Sequence, residues 1–145
     1  MTPGAAARIR TALGPTWASI ALLTLALGLT VAVSWFAVGG SAAYRGPMPV
    51  LRESWLPLFG LESLLAAAVA VGFVSWTGER SARRLVMLVI GAWLGELVVL
   101  TVGGTIFANE LVPTVAWFYW ILGTGGPVQP IAAIIGGLAA LKLRA

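Results

Sequence analysis

The sequence predicts an all-α integral membrane protein, folded as an antiparallel four-helix transmembrane bundle whose fourth helix is broken at a Gly/Pro segment. Of the 145 residues, 59% are hydrophobic and only 10% are charged, whereas soluble domains average about 45–50% apolar and about 25% charged residues. The mean hydropathy is +0.96. Four apolar stretches do not alternate as barrel strands do, and each can cross a hydrocarbon core of about 30 Å as a helix.

The chain forms a single transmembrane domain over residues 1–145. The first predicted span carries no charge, whereas the second and third are each interrupted by one acidic residue, Glu62 and Glu96. Tryptophans at the ends of the first two spans are typical interfacial anchors. The spans cover about 17–38, 56–76, 85–106 and 115–141.

Two connections have distinct compositions. Residues 39–54 contain Gly46-Pro47-Met48-Pro49, a run that we expect to resist helix formation. The second connection, residues 77–82, is predicted to be a tight turn that opens at Gly78.

The fourth span is divided by glycine and proline. The part after Pro130 provides only about 17–20 Å of helix, which is too short to cross a membrane alone. We therefore predict one broken span that includes the aromatic cluster at 117–120. In the alternative, residues 113–122 form an interfacial helix before a short span. The broken segment contains Gly123, Gly125, Gly126, Pro127 and Pro130.

The distribution of Arg and Lys predicts the orientation. With four spans, Arg45 and Arg52 lie on one side of the membrane, and the other seven basic residues share the opposite side. The positive-inside rule places that basic side, with both termini, in the cytoplasm of a bacterium, so we expect a multi-pass protein of the bacterial inner membrane. The seven residues are Arg8, Arg10, Arg80, Arg83, Arg84, Lys142 and Arg144.

The composition also excludes several kinds of chemistry. Cysteine and histidine are absent, so the chain lacks thiol nucleophiles, imidazole bases and the usual ligands of haem, copper and catalytic zinc. No nucleophile constellation or phosphate-binding motif is present. We therefore expect no enzymatic activity, no metal site and no cofactor other than bound lipid. The net charge of +4 reflects basic residues at span ends, so we expect no nucleic-acid partner.

Two acidic residues are the main candidates for ion binding. Glu62 is predicted about 9 Å below the outer surface and Glu96 about 16 Å above the inner one. An acidic residue at the centre of a membrane helix costs about 2.5–3.5 kcal/mol on insertion scales, so it is a functional candidate by default. In a purely structural interpretation, protonated Glu96 bonds a neighbouring helix or subunit, and Glu62 reaches the lipid headgroups.

Further candidates lie at similar depth. Thr124 and Gln129 belong to the broken segment, and such breaks form binding sites in secondary transporters because freed backbone groups must be satisfied inside the membrane. The structural interpretation is a kink that shapes packing. Trp93, three residues before Glu96, lines a cavity or stacks on a ligand in one interpretation, and packs between helices or faces lipid in the other.

Small residues recur at four-residue spacing on two helices. Such stripes allow helices to approach closely, either within this bundle or against another subunit. They consist of Gly91 and Gly95 in the third span and of Ala132, Gly136 and Ala140 in the fourth.

These features predict a non-catalytic accessory or structural subunit of a larger membrane complex. The alternative is a small homo-oligomeric transporter or channel that uses Glu96 and the broken fourth helix. A second alternative is a lipid- or pigment-binding scaffold. The expected partners are membrane lipids and either other membrane subunits or further copies of this chain.

Overall fold

The computed structural model describes residues 16–39, 47–108, 120–121 and 126–144. This part of the chain contains no strand, and the prediction of an all-helical protein is confirmed. The four main helices are α1 (Thr16–Gly39), α2 (Pro47–Thr77), α3 (Ala82–Ala108) and α4 (Val128–Arg144).

Three of these helices are long and apolar enough to cross a membrane, as expected for a small multi-pass membrane protein. Their apolar parts cover Thr16–Val38, Pro57–Thr77 and Ala82–Gly103, close to the first three predicted spans. The fourth helix has 17 residues and is therefore about 26 Å long. Its place as a fourth span belongs to the proposal made below.

The first connection differs from the prediction. Helix α2 begins at Pro47, so the second half of the predicted loop 39–54 is helical. Proline is unfavourable inside a helix but is tolerated in the first turn, where its missing N–H would have no partner. Pro47 and Pro49 both fall in the first turn of α2. The run Gly46-Pro47-Met48-Pro49, which was expected to resist helix formation, therefore contains the start of a helix.

The second connection is the predicted tight turn. Gly78 has a positive φ of 71° and its N–H bonds the Val74 carbonyl, a common way to end a helix. Ser81 then caps α3, because its hydroxyl accepts a hydrogen bond from the N–H of Arg84. The Glu79 carboxylate accepts bonds from two N–H groups of the turn and pairs with Arg84 at 3.3 Å.

The Gly/Pro segment forms the start of α4. Gly126 has a positive φ of 63° and donates to the Ile121 carbonyl. The Pro127 carbonyl accepts the first bond of α4, from Ile131. Pro130 therefore stands in the first turn, and α4 begins at Val128, earlier than the sequence suggested.

The four helices pack in a closed order. Helix α1 contacts α2 and α3, and α4 also contacts α2 and α3. In the described part of the chain, α2 and α3 make no comparably extensive contact with each other, so these consecutive helices lie diagonally.

Contacts at glycine positions show the direction of two neighbouring pairs. Gly91 and Gly95 of α3 face Ile20 and Thr24 of α1, so α1 and α3 run in the same direction. Helix α4 runs parallel to α2, because Gly136 faces Ala67 and Arg144 bonds the Val74 carbonyl.

The apolar core occupies the half of the molecule next to the turn at 78–81. It contains residues from all four helices, whose side chains are almost completely buried. They are Leu23, Leu27, Ala66, Ala70, Phe73, Val74, Leu85, Leu88, Val89, Ala92, Ala133 and Ala140.

Positive charge is concentrated at the end of the molecule that carries this turn. Arg144 donates two hydrogen bonds, to the carbonyls of Val74 and Ser75, and so caps the last turn of α2. A shallow groove at the same end is lined by Thr16 of α1 together with Arg83 and Arg84 of α3. The start of α1 therefore lies at this basic end, and its C-terminal end lies at the opposite one.

We predict that Gly136→Ala destabilises the protein by about 1–3 kcal/mol, as overpacking does. A Cβ at this position would lie 2.7 Å from the carbonyl oxygen of Ala67. Because this atom belongs to the backbone of α2, the contact can be relieved only if one of the two helices moves. The measurement is the free energy of unfolding in mixed micelles with increasing SDS.

Gly72→Ala is the matched control, because a Cβ there meets no atom within 4 Å. We expect this variant to be at least as stable as the natural protein. Equal stability of the two alanine variants would contradict the close contact between α2 and α4.

Candidate functional site

Two acidic side chains lie inside the helix assembly. Glu62 of α2 is 1% exposed and Glu96 of α3 is 6% exposed. The helices that carry them are diagonal, but both side chains are buried inside the assembly. Both acidic residues of the predicted spans are therefore buried in the interior.

Gln129 connects α4 to this pair. Its side chain is completely buried, because the residue lies in the first turn of α4, where that helix enters the interior. The amide nitrogen, Nε2, donates one hydrogen bond of 3.1 Å to Glu96 Oε1 and another of 3.1 Å to the carbonyl oxygen of Leu27. One amide thus joins α4 to both α1 and α3.

We call the residues Leu27, Glu62, Glu96 and Gln129 the interior polar cluster. Each of the four helices provides one member. Leu27 takes part through its backbone, since its side chain belongs to the apolar core. The cluster lies next to that core, on the side away from the basic end.

Three oxygen atoms of the cluster are buried without a hydrogen-bond partner. They are both carboxyl oxygens of Glu62 and Oε1 of Gln129. Most buried polar atoms in proteins have a partner, so orphans of this kind require an explanation. Such oxygens can accept protons or the hydrogen bonds of a small polar ligand.

Trp93 lies on α3 three residues before Glu96 and packs against Trp120 with the two rings tilted. The two ring centroids are 4.3 Å apart, with an angle of 33° between the ring planes. Trp120 also donates from its ring nitrogen to the Trp93 carbonyl. One face of the Trp93 ring therefore contacts Trp120. This contact is in accord with the interpretation that Trp93 packs inside the protein rather than binding a ligand.

The small-residue stripes are used inside the chain. A Cβ at Gly95 would meet the Thr24 hydroxyl at 2.5 Å, and one at Gly91 would meet Ile20 at 3.0 Å. On α4, Gly136 and Ala140 are buried and Ala132 is partly buried. These contacts serve the packing of α1 with α3 and of α2 with α4.

The remaining candidates belong to the Gly/Pro segment. Thr124, Gly123 and Gly125 lie outside the described residues. Gly126 and Pro127 form the turn before α4, and Pro130 is buried in its first turn. The described residues contain no group of three His, Cys, Asp or Glu side chains that could hold a metal ion.

Sequence reasoning missed the polar groups of α1. Leu27 contributes a carbonyl, which no side-chain pattern reveals. Thr30 and Ser34 are also buried, and their spacing with Leu27 along one helix face was the available signal. Trp120 was noted only as a member of an aromatic cluster.

Together, the fold and the site define a small helical membrane protein with an acidic pair in its interior. Comparison with protein-family models, curated proteins and solved structures finds no match to this chain.

We predict that Gln129→Leu lowers the free energy of unfolding by about 1–3 kcal/mol, because Glu96 then loses its hydrogen-bond donor. Glu96→Leu alone also destabilises the protein, since it leaves the Gln129 amide without that acceptor. The double variant removes both groups and is expected to lose less stability than the sum of the two single changes. Strictly additive losses in SDS titrations would contradict the contact.

Proposed function

We propose that this chain is a small membrane transporter or channel that moves protons through the interior polar cluster. The observation that carries the proposal is the burial of Glu62 and Glu96, on diagonal helices, in an interior where Gln129 bonds Glu96 and both Glu62 oxygens lack a partner. Ionisable residues within membrane helices mark ion pathways and proton relays.

The chemistry of the pair disfavours two negative charges. Two negative charges side by side in a buried site repel each other and lack the solvation that water provides. Gln129 donates a hydrogen bond to Glu96, whereas Glu62 receives no hydrogen bond from the described residues. The two carboxyl groups therefore have different surroundings, as the two ends of a proton-transfer step require.

The proposal includes a topology. Helix α4 serves as the inner part of a broken fourth span, which completes an antiparallel four-helix transmembrane bundle. Its break places the start of α4, with Gln129, beside the acidic pair, as half-helices do at transporter binding sites. Both termini and the basic end face the cytoplasm of a bacterial inner membrane, in accord with the positive-inside rule.

A protomer of this size provides little surface for a complete pathway. Oligomerisation through further copies of the chain is therefore part of the proposal. The apolar face of α3 is available for it, because several large residues along that face are exposed. These include Ile90, Leu94, Val98, Val102 and Ile106.

We predict that Glu62→Gln and Glu96→Gln each abolish proton flux into liposomes that contain the purified protein. Each change keeps the shape of the side chain but removes its ability to exchange a proton. The measurement is the quenching of a trapped pH-sensitive dye after a potassium-diffusion potential is applied.

Glu79→Gln is the matched control, because Glu79 lies in the turn between α2 and α3, outside the predicted spans. We expect natural flux from this variant. Flux of natural size in Glu96→Gln would rule out the mechanism, and absence of flux in the natural protein would rule out the function.

The second candidate is a non-catalytic accessory subunit of a larger membrane complex. The exposed apolar face of α3 also favours this function, because such a face can be covered by a helix of another subunit as well as by lipid. The absence of Cys and His from the chain fits a subunit that contributes no redox chemistry of its own.

Native mass spectrometry of the chain, extracted in mild detergent from its own cells, separates these two candidates. For the transporter, we expect only the 15.1 kDa chain, its multimers and bound lipid. Stoichiometric foreign polypeptides would instead establish the accessory function.

A further inference from the structure

We infer that water reaches the interior polar cluster along α1, past Thr30 and Ser34, from the end of the molecule opposite the basic end. The inference deepens the proposed function and rests on it, because it names the route by which protons would enter. The ligand is water with its exchangeable protons, held by hydroxyl, carbonyl and carboxyl oxygens.

The buried oxygens without partners are the first reason. Water in a protein interior is held by about three hydrogen bonds to otherwise unsatisfied polar groups. Glu62 provides two such oxygens and Gln129 provides one, and the Glu96 carboxyl lies beside them. The cluster can therefore hold water, which has to arrive from one end of the molecule.

A row of hydrogen-bonded polar groups on α1 leads from the cluster toward the end of the molecule opposite the basic end. Thr30 donates to the Leu27 carbonyl, the same oxygen that accepts the bond from Gln129. Ser34 donates in turn to the Thr30 carbonyl. From Leu27 to Ser34 this row rises about 10 Å along α1, toward its last residue, Gly39.

Both hydroxyls keep the capacity to bind water. Each uses its proton in a bond to its own helix, and its oxygen lone pairs remain able to accept hydrogen bonds. Thr30 is 5% exposed and Ser34 is 0% exposed, so both oxygens lie inside the protein. We call Leu27, Thr30 and Ser34 the α1 polar row.

The opposite direction is mainly apolar in the described part of the chain. Between the interior polar cluster and the basic end lies the apolar core, with Ala70, Val74, Leu88 and Val89 fully or almost fully buried. Ser19 and Thr24 are buried hydroxyls in this half. Thr24 donates across to the Ala92 carbonyl of α3 and so belongs to a helix contact. In this arrangement the acidic pair communicates with one face of the membrane.

The test measures the exchange of the carboxyl protons of Glu62 and Glu96. The purified protein is moved into D2O, and the infrared C=O band of protonated carboxylic acid is followed over time. Glu62→Gln and Glu96→Gln assign the band. The measurement uses the resting protein and requires no transport, so it is independent of the flux assay.

We expect Thr30→Val to slow this exchange on the order of tenfold, because a water at this position loses a hydrogen-bond partner. Thr24→Val is the matched control on the same helix, and we expect its exchange to remain as fast as in the natural protein. Thr30→Ser keeps the hydroxyl and should restore the natural rate. Ser34→Ala provides a second variant on the α1 polar row.

The outcomes separate the route from the function. Equal exchange rates in Thr30→Val, Ser34→Ala and the natural protein would overturn the route, even if the flux assay succeeds. Slowing by Thr24→Val but not by Thr30→Val would overturn it as well, because water would then enter from the basic end. Slow exchange in Thr30→Val with rescue by Thr30→Ser supports the route, even in a protein that shows no flux.

Discussion

The arrangement of the interior depends on the two hydrogen bonds donated by Gln129. A membrane interior offers polar groups little water, so they must find partners within the protein. Gln129 provides a partner for Glu96 and for the Leu27 carbonyl at once, and both acceptors lie on helices other than its own. This one amide therefore sets the position of α4 relative to α1 and α3.

The small residues of α4 make this position available. Gly136 allows the backbone of α4 to lie against Ala67, which brings the first turn of the helix level with the acidic residues. Arg144 holds the other end of α4 against the last carbonyls of α2. These contacts, made by Gln129, Gly136 and Arg144, lie at three levels along α4. Each of them restricts movement of α4 along its own axis.

The features that depend on a short stretch of sequence were predicted correctly. The charge-free run 17–38 and the Gly78 turn follow from hydropathy and from backbone preference, and the structure has both. The predicted start of α2 was wrong, because Pro47 and Pro49 were interpreted as helix breakers. In the structure both prolines lie in the first turn of α2. The partners of Gln129 could not be predicted, since they depend on which helices are diagonal, and no local pattern carries that information. The carbonyl of Leu27 is invisible to any reasoning about side chains.

The diagonal placement of α2 and α3 has a consequence for how the protein matures in the membrane. These helices are consecutive, yet they bury little surface against each other in the described part of the chain. Their extensive contacts are with α1, made earlier by the ribosome, and with α4, made later. Until α4 is made and packed, Glu96 lacks its amide donor and α2 lacks its arginine cap. The packing of these four helices is therefore completed only after α4 has left the ribosome.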